Sequence, residues 1–135
     1  MRWIVFFFLT ISYQLINAHV DASNTSQPYF KICDHEISDL LRYQCTNEKV
    51  YEFIQTHFYI SPSSSSNTGS GDLVLSFTIN EKGKATNPII VKGLSEDINQ
   101  AALDIVYKLP KFIPGKVNGK NSATEYIINL NLILR

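Results

Sequence analysis

DLVLSFTINEKGKATNPIIV, residues 72–91, is the stretch from which the fold can be read. Leu73, Leu75, Phe77 and Ile79 alternate with Asp72, Val74, Ser76, Thr78 and Asn80, which is the period-two signature of a half-buried strand. Glu81-Lys82-Gly83-Lys84 then reads as a tight turn in which Gly83 supplies the positive φ that hairpins require. A second strand follows over Ala85 to Val91. Beyond it Ile98, Ala101, Ala102, Ile105 and Leu109 recur at i, i+3, i+4, i+7 and i+11, one face of an amphipathic helix that Pro110 stops. Ser95 is a good N-cap for that helix, and Glu96-Asp97 sit where its dipole favours negative charge. Tyr126, Ile128, Leu130, Leu132 and Leu134, alternating with Ile127, Asn129, Asn131 and Ile133, predict a long last strand. No later element covers its edge, and an uncovered edge can accept a strand from another protein.

Between the helix and the last strand, Leu109 to Lys120 reads as an extended connector. Pro110 and Pro114 bar helix and central strand, so Phe112 or Ile113 is free to plug the gap between helix and sheet. Gly115 permits a sharp turn, and Asn118-Gly119 is a strong turn dipeptide. Lys108, Lys111, Lys116 and Lys120 make the connector basic; the plain expectation for them is a solvated surface.

Four short strings within this region carry a family resemblance. They are Leu75-Ser76-Phe77-Thr78-Ile79 running into Asn80-Glu81-Lys82-Gly83-Lys84, Asn87-Pro88-Ile89-Ile90-Val91, Ala101-Ala102-Leu103, and Leu109-Pro110-Lys111-Phe112-Ile113-Pro114-Gly115-Lys116-Val117-Asn118-Gly119-Lys120. Their sequence and order resemble the TonB C-terminal domain family in its Bacteroidetes-type form. The resemblance implies an α+β fold, a three-stranded antiparallel sheet in β-β-α-β order packed on one helix and preceded by one or two short N-terminal helices. It also implies a non-catalytic protein-interaction role in transmembrane transport. The partner would be an outer-membrane TonB-dependent transporter, a short segment of which adds as a strand beside the last strand. On this chain the implied docking edge is Ser122 to Leu132, with Ala123, Glu125, Ile127, Asn129 and Asn131 as the partner-binding positions. Backbone groups would supply the affinity and these side chains would tune it.

The N-terminus reads as an export signal. Arg2 gives the positive start, Ile4 to Ile11 the apolar stretch, and Ile16-Asn17-Ala18 a cleavage site at Ala18. Tyr13 and Gln14 cut the apolar run well short of the ~20 residues that span a bilayer. A periplasmic protein with a cleaved signal peptide is therefore expected; the alternative is an inner-membrane anchor facing the periplasm. Residues 19–28 read as a polar, disordered leader, 29–60 as a helical extension, 61–71 as a Ser/Gly-rich flexible loop, and 72–135 as the TonB-like domain.

In the extension, Ile37, Leu40 and Leu41 suggest a short helix between the two cysteines. Thr46 or Asn47 would cap a second, with Val50, Phe53, Ile54 and His57 on one face. His57 is expected to be a partly buried core residue. Cys33 and Cys45 in an exported chain are expected to form a disulfide, and they lack the Cys-x-x-Cys spacing of a redox pair. The TonB-like resemblance extends, more weakly, to this cysteine pair and helix.

Composition narrows the function further. The 135 residues carry 12 Lys+Arg against 12 Asp+Glu, without the positive excess that nucleic-acid binding requires. No His/Cys/Asp/Glu spacing makes a zinc site, and no phosphate loop, nucleophile elbow or metalloprotease helix is present. No catalytic residue, metal, cofactor or small-molecule substrate is expected. A force-transmitting transducer of the TonB kind also carries a membrane helix and a long Pro-rich arm, whereas the five prolines here are scattered. The leading expectation is a periplasmic adaptor. The alternatives are an anchored energy transducer with an uncleaved N-terminal segment, and an exported module that homodimerises through its last strand.

Overall fold

The computed structural model describes residues 24–58 and 71–132. The expected signal peptide with its Ala18 site, most of the leader, the Ser/Gly-rich stretch 61–70 and Leu134 lie outside the described residues. In chain order the elements are β1 (Thr25–Ser26), a 3-10 turn (Lys31–Cys33), α1 (Asp39–His57), β2 (Gly71–Ile79) and β3 (Ala85–Lys92). They continue with α2 (Glu96–Val106), β4 (Lys116–Val117), β5 (Lys120–Asn121) and β6 (Thr124–Leu132). The described residues form a mixed α/β fold with two helices and two three-stranded antiparallel sheets, β3-β2-β6 and the small β1-β4-β5.

β2 is the centre of the main sheet because both neighbours are driven onto it. The turn after Ile79 folds β3 back along one side: the Asn80 side chain accepts from the N–H groups of Lys82 (3.0 Å) and Lys84 (2.9 Å), and Gly83 sits at φ 82. α2 then carries the chain across one face so that β6 pairs along the other side of β2, from Gly71↔Leu132 to Ile79↔Thr124. As expected, the Ser95 hydroxyl caps α2 by accepting from Ile98 N–H (3.4 Å). The helix ends at Val106, before the Leu109 that its periodicity suggested, and Leu109 packs on the core from the turn beyond.

The alternation in β2 and β6 sorts side chains as the sequence predicts. Leu73, Leu75, Phe77 and Ile79 are buried with Leu130, Ile128 and Tyr126 on one face. Ile98, Ala102, Ile105 and Val106 of α2 join them in the core, and so do Val50 and Ile54 of α1. Two helices therefore supply this core.

The N-terminal extension differs most from its sequence reading. Asp39–His57 is one continuous helix, capped at Ser38, whose hydroxyl accepts from Leu41 N–H (3.2 Å). Thr46 and Asn47 are not caps. Thr46 is buried mid-helix and accepts from Phe30 N–H (3.0 Å). The disulfide does form, Cys33 to Cys45 with a Cα separation of 5.9 Å, tying the 3-10 turn to the helix. A loop this short stabilises a fold by about 2–3 kcal/mol. His57 is exposed rather than in the core: its ring stacks on Phe53 and its Nδ1 lies 2.9 Å from the Phe53 carbonyl. Thr25–Ser26, inside the expected leader, form β1 against Lys116–Val117. The leader reading rested on polar composition and could not register a partner ninety residues away.

Phe112, rather than Ile113, is the connector's plug. It is 1% exposed, its ring lies 4.3 Å from that of Phe30, and its N–H donates to the Gly83 carbonyl (2.8 Å). Ile113 instead exchanges backbone hydrogen bonds with Tyr29. At Gly83 a Cβ would stand 1.9 Å from the Phe112 carbonyl oxygen, so the turn and the connector touch backbone to backbone. At Gly119, also at positive φ (76), a Cβ would meet nothing within 4 Å. Gly119→Ala is therefore expected to cost about 1 kcal/mol of backbone strain. Gly83→Ala adds a main-chain clash and is expected to cost over ~2 kcal/mol. Urea unfolding of the two variants checks the difference.

Candidate functional site

The two edges of the main sheet are not equivalent. β3 is blunted. Between Ser76↔Ile89 and Thr78↔Thr86 it inserts one extra residue, and between Val74↔Lys92 and Leu75↔Ile90 another. The first irregularity holds Asn87 at φ 49 and Pro88, which offers no N–H. Bulges and proline are the usual protections of an edge against strand pairing. β6 carries neither. All nine of its residues pair with β2 in continuous register, and among the described residues no strand lies on its other side.

The expected site residues fall on or beside this edge. Glu125, Ile127, Asn129 and Asn131 are the exposed, outward-facing members of β6, while Ala123 lies just before it. Two of them are already engaged. Glu125 accepts a hydrogen bond from Ser76 Oγ (3.3 Å), and Asn131 Nδ2 donates to Asp72 Oδ1 (2.8 Å). Ile127 is 57% exposed, and the Asn129 side chain makes no hydrogen bond among the described residues.

Sequence reasoning missed the other wall of the site. Asn47, Glu48 and Tyr51 of α1 face Ile127, Ile128 and Asn129 across a cleft of about 380 Å3. A strand laid along β6 would place one set of alternate side chains in this cleft and the other over the outer face of the sheet. The helical spacing of Asn47 and Tyr51 puts them on one side of α1. Nothing in the sequence says that this side meets β6.

A buried contact fixes the cleft. The Tyr126 hydroxyl hydrogen-bonds the Asn47 side-chain oxygen, and the ring stacks on Phe77 at 5.2 Å and packs against Tyr43 at 6.0 Å. Burial pushes the Tyr126 phenol well above the usual tyrosine range, and the neighbouring Tyr43 raises it further. Among the described residues, no three His, Cys, Asp or Glu side chains group as metal ligands, and no helix is long and apolar enough to cross a membrane. What the arrangement offers chemically is a row of main-chain donors and acceptors beside an amphipathic cleft.

Residues 62–133 match a family described as Gram-negative bacterial TonB protein C-terminal, a span that runs from just before β2 to the end of β6 and leaves out α1 and the disulfide. No curated protein and no solved structure gives a significant match.

Because the folded protein holds the Tyr126 proton more tightly than the unfolded chain, with its phenol near ~10, this group's contribution is complete below pH ~10 and falls as pH rises further. The slope is up to ~1.4 kcal/mol per pH unit. Tyr126→Phe is expected to be less stable than wild type at neutral pH, by about 1–2 kcal/mol for the stranded Asn47 oxygen, and to lose that part of the alkaline slope. Denaturant titrations from pH 8 to pH 11 check both.

Proposed function

The chain belongs to the Gram-negative bacterial TonB protein C-terminal family, and from that membership we propose that it is a non-catalytic, periplasmic protein-interaction domain that takes a short extended segment of a partner onto the free edge of β6. The partner on this reading is an outer-membrane TonB-dependent transporter, and the process is transmembrane transport. One observation carries the choice of edge: β6 is regular and, among the described residues, unpaired on its outer side, while β3 is bulged and interrupted by Pro88. Main-chain hydrogen bonds give the affinity, and the Asn47–Tyr51 wall with Ile127 and Asn129 selects among side chains.

The first eighteen residues are a cleaved export signal on this reading, and the disulfide suits the oxidising compartment beyond it.

Hydrogen exchange with synthetic plug-segment peptides tests the docking. Added protection is expected on β6 amides and not on β3, and Asn129→Ala is expected to change affinity by less than about threefold, since a rim side chain is worth under ~0.6 kcal/mol. Protection gained on β3, or on no strand, would overturn the reading; protection that grows with protein concentration alone would assign the edge to a second copy of the chain.

The export reading is tested by the intact mass of the protein from its own host's periplasm. A chain starting at His19 and two protons lighter is expected. A membrane fraction retaining Met1 would restore the anchored transducer.

A further inference from the structure

Lysines from separate parts of the chain converge where the β2–β3 turn meets the connector. Lys31 of the 3-10 turn, Lys82 of the hairpin turn and Lys111 of the connector line, together with Glu81, a depression of about 610 Å3 whose apolar residues are Phe112, Ile113 and Pro114. Lys111 also borders a neighbouring depression of about 440 Å3, floored by Phe30, Phe53 and Pro110 with Lys31 and Lys49 on its rim. It also borders a third, of about 360 Å3, lined by Lys82 and Lys84. The three share Lys111 and so form one furrow.

The furrow is lined by five lysines, Lys31, Lys49, Lys82, Lys84 and Lys111, against two carboxylates, Glu52 and Glu81. Among the described residues Lys31, Lys82, Lys84 and Lys111 make no ion pair, and only Lys49 has one, to Glu52 (2.8 Å). The chain as a whole is neutral, so gathering bare ammonium groups over an apolar floor leaves a field that a ligand of opposite sign would relieve. Cationic rim and apolar floor together fit an acidic peptide in which carboxylates are interspersed with apolar side chains. A bare polyanion would leave the apolar lining at Phe53, Pro110, Ile113 and Pro114 unused.

The position of the furrow indicates which peptide. Ile79 pairs with Thr124, so the turn that carries Lys82 and Lys84 stands at the end of the sheet where β6 begins. Asn121, three residues before β6, lines the furrow and donates from Nδ2 to the Glu81 carbonyl (3.3 Å). A segment paired along β6 and continuing past Thr124 therefore runs toward the lysines. We infer that the furrow binds an acidic stretch of the partner immediately flanking the segment that docks on β6. This rests on the β6 reading for its geometry, but not for its chemistry.

The test uses the full mature chain and three peptides: a β6-docking segment, the same segment with an Asp/Glu/Leu flank, and the flank alone. At low salt the flanked peptide is expected to bind about tenfold tighter than the bare segment, an advantage that added salt erodes. The double substitution Lys82→Glu and Lys111→Glu, at two exposed positions, should abolish the advantage and leave the bare segment's affinity unchanged. Equal affinity of flanked and bare segments, with β6 still protected, overturns the furrow and leaves the docking reading standing. If no segment protects β6, the docking reading falls and the flank alone decides the furrow. Amide shifts at Gly83 and Lys111 that the double variant lacks support it; no shift overturns it. Lysine-dependent co-sedimentation with phosphatidylglycerol vesicles, without response to the flank peptide, also overturns it by assigning the surface to a membrane.

Discussion

A chain of buried aromatic rings joins the parts of this protein. Phe30 packs on Phe112 at 4.3 Å, Phe112 on Tyr126 at 5.9 Å, and Tyr126 on Phe77 at 5.2 Å. These rings come from the N-terminal extension, the connector, the last strand and the central strand. Each buried ring contributes about 1.5–3 kcal/mol from lost water contact alone. The polar groups around the stack are matched in turn: Phe30 N–H to Thr46, Phe112 N–H to the Gly83 carbonyl, and the Tyr126 hydroxyl to Asn47. Because the stack spans separate segments, α1 and the main sheet share one core.

That junction also builds the candidate site. A long regular edge strand is a hazard in a free protein, and the fold treats its two edges differently. On β3, bulges and Pro88 spoil the ladder. On β6 the ladder is left intact, and α1, held by the Tyr126–Asn47 bond, walls it on one side. A partner strand entering there would meet a cleft as well as a backbone, so selection does not rest on hydrogen bonds common to every peptide. The lysine furrow lies at the end of the sheet where β6 begins.

The main sheet and α2 were legible because each carries its own period. Leu73, Leu75, Phe77 and Ile79 state a strand, and Ile98, Ala102 and Ile105 state a helix face. Gly83 and the Ser95 cap punctuate them through local chemistry. Legibility failed where the deciding partner is distant. Thr46 looks like a cap because threonine often is one; here its hydroxyl serves Phe30, and helix continues through it. His57 follows the apolar spacing of Val50 and Ile54, yet it sits in the last turn, beyond the part of α1 that the sheet covers, and stacks on Phe53 in solvent. Thr25–Ser26 have no strand signal of their own and are extended because Lys116–Val117 pair with them.

The site divides in the same way. By itself the sequence determined a strand–turn–strand–helix–strand order, a long last strand without proline, a cysteine pair suited to a disulfide, and outward positions at Glu125, Ile127, Asn129 and Asn131. These follow from side-chain period and backbone preference, which act over a few residues. Only the tertiary structure decided that β6 and not β3 is the clean edge, that Asn47 and Tyr51 stand across from it, and that Lys31, Lys82 and Lys111 share one furrow. Those are relations between segments far apart in the chain. They are set by which surfaces bury together and which main-chain groups then find partners, and no local pattern records them.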